Sequence, residues 1–185
     1  MCIFTPRDGK AQVISLVSRG KVAELPLQGM PHLGSGITFN ANGRLYMAST
    51  NLNTPTITVI DMQSWKVAKE IPIPGPGFFL RSHEETPYAW VDSMMSPTAK
   101  DTISIIDKRT LEVVRQLRLR PGKTNAHVEF TRDGRYALVS IMENPGELII
   151  VDAKTFQEVK ALPMSKPIGK YNVFNKVTRS EGTSH

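Results

Sequence analysis

The sequence predicts an all-β protein, a β-propeller built from four-stranded antiparallel blades. Three observations predict it. A strand–turn–strand pattern recurs about every 45 residues, a period suited to propeller blades. A second hairpin precedes each copy. Stretches rich in proline and glycine fall at one fixed place in the repeat. Within each segment the apolar period is two rather than 3.6, which disfavours a helical solenoid.

The recurring segment is "ITVIDMQSWKVAKEIPI" (57–73), "ISIIDKRTLEVVRQLRL" (103–119) and "LIIVDAKTFQEVKALPM" (148–164). Asp61, Asp107 and Asp152 lie 46 and 45 residues apart. Each leads a polar turn between two strands, and an aspartate there can accept the N–H groups two and three residues on, so its place needs no catalytic explanation. "QVISLVSRGKVAELPL" (12–27) is a weaker copy, with Ser15 in place of the aspartate. The preceding hairpins are "ITFNANGRLYMAST" (37–50), "FFLRSHEETPYAWVD" (78–92) and "VEFTRDGRYALVSI" (128–141), and Gly43 and Gly134 mark tight turns in two of them.

The elements then follow in order. Residues 1–27 supply the outer part of one blade. Residues 37–73, 77–119 and 128–164 are whole blades. Residues 171–175, "YNVFN", read as a further inner strand that closes the ring. The loops "PLQGMPHLGSG", "PIPGPG", "LRPGKTNA" and "MSKPIGK" join the outer strand of one blade to the inner strand of the next, on one face near the central channel. About three and a half blades is fewer than the four to eight that close a propeller. The count therefore predicts a fragment of a larger propeller, or a chain that assembles with a partner.

Composition narrows the function. Of 185 residues, 40% are hydrophobic and 22% charged, as in ordinary globular chains. No apolar run nears the roughly 20 residues that span a bilayer, and residues 1–20 do not form a secretory signal. The single cysteine, Cys2, excludes an internal disulfide, a cysteine-rich zinc site and a Cys-x-x-Cys-His haem attachment. The net charge of +6 is scattered among acids. That is the pattern of a solvated basic surface or a site for an anionic ligand, and no nucleic-acid module accompanies it. There is no nucleophile elbow, phosphate loop or helix-borne zinc motif.

The candidate chemistry lies at the inner-strand mouths. Aligning the inner strands by Phe39, Phe130 and Phe174 places His127 and Tyr171 at equivalent positions, with Gly36 as their counterpart. His32 lies four residues before Gly36, in the loop on the same face. Two imidazoles and a phenol, far apart in sequence, are thus expected at one channel mouth. The Gly34-Ser35-Gly36 turn permits close approach of a flat ligand, and equally a bent connection. His83, at a hairpin turn, is expected to be structural. Glu129 stands two residues from His127, and the sequence leaves open whether it touches that ring.

At "PHLGSGITF", "NAHVEFTRDGR" and "GKYNVFNKVTRSEGTSH" the chain resembles the C-terminal part of the haem-d1 propeller family. That family includes haem-d1 nitrite reductases, dihydro-haem d1 dehydrogenases and a related biosynthetic protein without reductase activity. The resemblance runs over essentially the whole chain and implies an eight-bladed propeller with haem d1 on the axis. The reductase pattern has arginine at Ser35, no histidine at His127 and phenylalanine at Tyr171, so the dehydrogenase branch is the nearer match. That branch implies His32 as an iron ligand and His127 as the base that takes a proton while a side chain of the macrocycle becomes an acrylate. It implies Tyr171 as an aid to His127 or a partner of a carboxylate, and Gly34, Ser35, Gly36 and Lys170 as further contacts to haem d1 or its dihydro precursor. Lys123 and Arg44 are weaker candidates for its carboxylates.

The same resemblance implies a periplasmic oxidoreductase whose electrons go to a c-type haem on a domain or protein outside this chain. It also implies that the chain alone is inactive without the remainder of the propeller. The alternatives are the d1 domain of a nitrite reductase and a non-catalytic propeller that carries a cofactor or serves as an interaction platform.

Overall fold

A computed structural model describes residues 2–4, 10–27, 29–172 and 174. Fifteen strands and one short 3-10 turn make up the regular structure of these residues. The first sheet holds β1 (Cys2–Phe4), β2 (Lys10–Ile14) and β3 (Lys21–Pro26). The second holds β4 (Ile37–Ala41), β5 (Arg44–Thr50), β6 (Thr56–Asp61) and β7 (Lys66–Pro72). The third holds β8 (Leu80–Ser82), β9 (Tyr88–Asp92), β10 (Ile103–Asp107) and β11 (Glu112–Leu117). The fourth holds β12 (Asn125–Phe130), β13 (Tyr136–Ile141), β14 (Gly146–Asp152) and β15 (Glu158–Met164). Every sheet is an antiparallel meander in chain order, and β8 touches both β4 and β12. These are blades whose inner strands converge.

The turn aspartates explain why the pattern repeats. Asp61 Oδ1 accepts the N–H groups of Gln63 and Ser64 at 2.8 and 3.0 Å. Asp107 does the same for Arg109 and Thr110, and Asp152 for Lys154 and Thr155. Each turn then closes through one left-handed residue, Trp65, Leu111 or Phe156. Ser15 holds the weaker copy with one bond, from the Ser18 N–H.

The core lies between blades. Ile37, Phe39, Val59 and Ile71 of one blade meet Leu80, Val91 and Ile106 of the next. Trp90, Ile103 and Ile105 on the far face of that blade meet Val128, Phe130, Val139 and Val151. β10 and β12 are buried throughout, whereas the outermost strands β11 and β15 carry exposed Lys, Arg and Glu, which discourage edge-to-edge pairing. The remaining face of the last blade leaves Leu138 and Ile150 half-buried.

Two expectations change. Phe39 stands opposite Tyr46, but Phe130 stands opposite Ala137 rather than Tyr136, so aligning the blades by phenylalanine is one residue out of step. The cause is turn length. Asn42-Gly43 is a two-residue hairpin turn, whereas Thr131–Gly134 is a wider turn that closes with Gly134 N–H on Thr131 O. A bulge between Ala126 and Glu129 reshapes the mouth of β12. Tyr171 and Asn172 form no strand, and Val173 and Asn175 lie outside the described residues. Tyr171 and Asn172 make no ladder pairing with β12. Asn172 instead donates its amide to Phe130 O at 3.0 Å.

Candidate functional site

His127 occupies the β12 bulge with left-handed backbone (φ 50°) and is fully buried. This conformation is uncommon for a residue with a side chain, and it turns the ring out of the strand's alternation. The ring meets Phe79 edge-on at 4.2 Å and Tyr171 edge-on at 5.1 Å between centroids. Nδ1 accepts the Lys170 N–H at 3.2 Å, so the neutral ring carries its proton on Nε2. That Nε2 is buried with no hydrogen-bond partner among the described residues.

His32 sits in the crossover loop before β4, its backbone N–H on Thr50 O at 2.8 Å. Its Nδ1 lies 2.9 Å from Phe78 O, and a carbonyl can only accept, so Nδ1 is the protonated nitrogen and Nε2 keeps its lone pair. Its ring lies 4.2 Å from that of Phe78, and Phe78 lies 4.6 Å from Phe79. One unbroken line of rings therefore runs His32–Phe78–Phe79–His127–Tyr171. The structure sets His127 against Tyr171, and two phenylalanines stand between His127 and His32.

Charges surround His127. Arg81, Asp92 and Glu129 are buried, and Lys170 Nζ lies against His127 O and 2.8 Å from Ser140 Oγ. The Arg81 guanidinium lies 5.8 Å from the centre of the Phe79 ring. Burial, then the Lys170 and Arg81 charges, push the His127 imidazole down to about 3. Burial pushes the Lys170 amine down to about 7 against the pull of Glu129 and Asp92. Burial raises the Asp92 carboxyl, although backbone N–H groups oppose that shift. Glu129 accepts the Phe130 N–H at 2.8 Å and faces the cavity it shares with Lys170, Tyr171 and Asn172.

The other expected residues divide. Leu33–Ser35 make the 3-10 turn, with Gly34 exposed and Ser35 buried. Gly36 is explained by packing, because a Cβ there would stand 3.0 Å from the carbonyls of Ala48 and Leu33. The Lys170 amine is occupied by this chain's own His127 and Ser140. Arg44 is bound to Asp61 at 2.5 Å, at the hairpin end of its blade. His83 is buried, and its Nδ1 accepts the Glu85 N–H at 3.1 Å within its turn.

Sequence reasoning missed Phe78, Phe79, Arg81 and Asp92. A signal was available for the last. Tyr46, Tyr88 and Tyr136 each pair with a turn aspartate, and four residues beyond them stand Thr50, Asp92 and Ser140. One copy alone is charged.

Residues 2–176 match the cytochrome D1 heme domain family. A dihydro-heme d1 dehydrogenase of Pseudomonas aeruginosa is 54% identical over 94% of the chain, and protein NirF of the same organism 26% over 90%. The chain spans 35% and 40% of the lengths of these two relatives. The solved structure of the dihydro-heme d1 dehydrogenase NirN in complex with DHE superposes with a TM-score of 0.90 at 51% identity, over 94% of this chain and 37% of that one. A hydrazine synthase of Kuenenia stuttgartiensis, 16% identical, superposes with a TM-score of 0.68 over 85% of this chain and 44% of its own, a likeness of fold alone. With a match that runs over residues 2–176, nearly the whole chain, the protein belongs to the cytochrome D1 heme domain family.

Proposed function

We propose that this chain is the part of a dihydro-haem d1 dehydrogenase that holds the macrocycle and handles its proton. The observation that carries the reading is the pair of imidazoles set along one line of rings, each with Nδ1 engaged by the backbone. A histidine whose Nδ1–H is held by a carbonyl is oriented as metal-ligating histidines are, and neutral imidazole suits haem iron. His32 Nε2 fits that role, with Gly34 open beside it. The macrocycle, as substrate, would supply a side chain that gives up two electrons and two protons in becoming an acrylate, one proton to His127 and the other to solvent.

His127 is held neutral, the form that can take a proton. Its Nδ1 is engaged by the Lys170 N–H, so accepting a proton requires that contact to open. A substrate carboxylate near Lys170 and Arg81 offsets the two cations that hold the imidazole down and raises its basicity. Tyr171, half-exposed and edge-on to the ring, positions His127 from the solvent side. The electrons leave to a c-type haem outside this chain, in a periplasmic protein. No helix among the described residues is long and apolar enough to cross a membrane.

The test uses the full-length protein. Conversion of dihydro-haem d1 to haem d1 falls in His127→Ala and Tyr171→Phe, and the absorption spectrum of added haem d1 changes in His32→Ala. Unchanged turnover in the first two, or brisk reduction of nitrite by the unaltered protein, overturns the reading.

A further inference from the structure

Asp92 is fully buried at the end of β9. Its Oδ1 accepts the Phe78 N–H at 2.8 Å and, more weakly, the Met94 N–H at 3.5 Å. Its Oδ2 accepts the His127 N–H at 3.2 Å, and the Phe79 N–H lies within 3.4 Å of both oxygens. The consequence is geometric. Phe78 gives its N–H to Asp92 and takes the His32 Nδ1–H on its carbonyl. One carboxylate thus reaches His32 through a single residue, Phe78, and reaches His127 directly at the backbone of its left-handed bulge.

The repeat sharpens this. Thr50 and Ser140 occupy the same place in the neighbouring blades, and both also serve the mouth. Thr50 Oγ1 donates to Phe78 O at 3.4 Å, and Ser140 Oγ accepts from Lys170 Nζ. A hydroxyl therefore suffices at this place in a blade of this fold. A charge at the copy between the two histidines is beyond what blade formation requires, since burying a carboxylate is costly unless its bonds are all made.

We propose that Asp92 is a positioning residue that ties the two imidazoles into one frame, fixing the spacing and tautomer of His32 against His127. The proposal rests on the roles given to these histidines above. It commits to a bifurcated dependence: Oδ1 governs His32 through Phe78, and Oδ2 governs His127. An amide keeps the shape of the carboxylate but has one accepting oxygen, so Asp92→Asn keeps one limb and turns an N–H toward a donor on the other.

The experiment compares full-length protein with Asp92→Asn and Asp92→Ser, the serine copying the equivalent blade position. Imidazole nitrogen resonances of 15N-histidine-labelled protein without macrocycle report the tautomers of His32 and His127, assigned with His32→Ala and His127→Ala. Turnover of dihydro-haem d1 is measured alongside. With folding verified by circular dichroism, the asparagine variant shifts the resonances of one histidine, the serine variant shifts both, and turnover drops about 10–100-fold, as loss of an outer partner of a metal ligand does. A folded Asp92→Ser protein with both sets of resonances unchanged overturns the proposal. Misfolding of both variants overturns it too, since the carboxylate then serves the blade itself. Shifted resonances with unaltered turnover keep the frame and overturn the functional reading instead.

Discussion

Replacing His127 by asparagine removes a titrating group while keeping the local geometry. Asn Oδ1 can accept the Lys170 N–H that Nδ1 now accepts, and asparagine tolerates the left-handed φ of 50°. The imidazole is held at about 3, below its ordinary 6.5. Between those values the unfolded chain binds a proton that the native chain does not. Stability from this group is therefore complete above pH 6.5, falls as pH drops below it and levels off below about 3. One pH unit is worth about 1.36 kcal/mol, so acidification from pH 7 to 4.5 costs the native protein about 2.5 kcal/mol through this residue, less where solvent reaches the ring. Lys170, Asp92 and the other histidines are common to both proteins, so their contributions largely cancel in the difference. Urea unfolding of the full-length protein and its His127→Asn variant at pH 7, 6, 5 and 4.5 measures it. The unaltered protein loses about 2 kcal/mol more than the variant over this range. Parallel pH dependences refute the reasoning, and so does a His127 resonance that titrates near 6.5.

Three further outcomes are expected. Gly134→Ala puts a Cβ about 2.5 Å from His83 Nδ1 at a φ of 68°, and both strain and clash lower stability, by about 2 kcal/mol or more, read as a fall in Tm. Phe130→Ala empties the centre of the core between the last two blades and costs about 3–5 kcal/mol in chemical denaturation. Asp101 is held at about 2, first by the Arg118 side chain and then by the Gly122 N–H. Its contribution is present above its unfolded value near 3.8 and is lost as pH falls toward 2, so Asp101→Asn flattens the acid limb of the stability profile between pH 4 and 2.

The blade was legible because its instructions are local. Asp61, Asp107 and Asp152 bond within three residues of themselves, and alternation along β7 records which side chains meet solvent. The pairing of His127 with Tyr171 was partly legible, because equivalent places in neighbouring repeats fall side by side around an axis. The alignment of Phe39 with Phe130 that accompanied it was nevertheless one residue out, since turn length shifts register without altering composition.

Sequence by itself determined the repeat and the strand order within each blade, because these follow from short-range bonding and period-two burial. Tertiary structure alone decided that Phe78 and Phe79 bridge the histidines, that Ser35 turns inward, that Lys170 bonds to this chain's own residues and that Asp92 holds both halves of the site. The contacts of His32 with Phe78, of His127 with Asp92 and of Lys170 with His127 join residues 35 to 46 positions apart, and no pattern within one repeat encodes the distance between two blades.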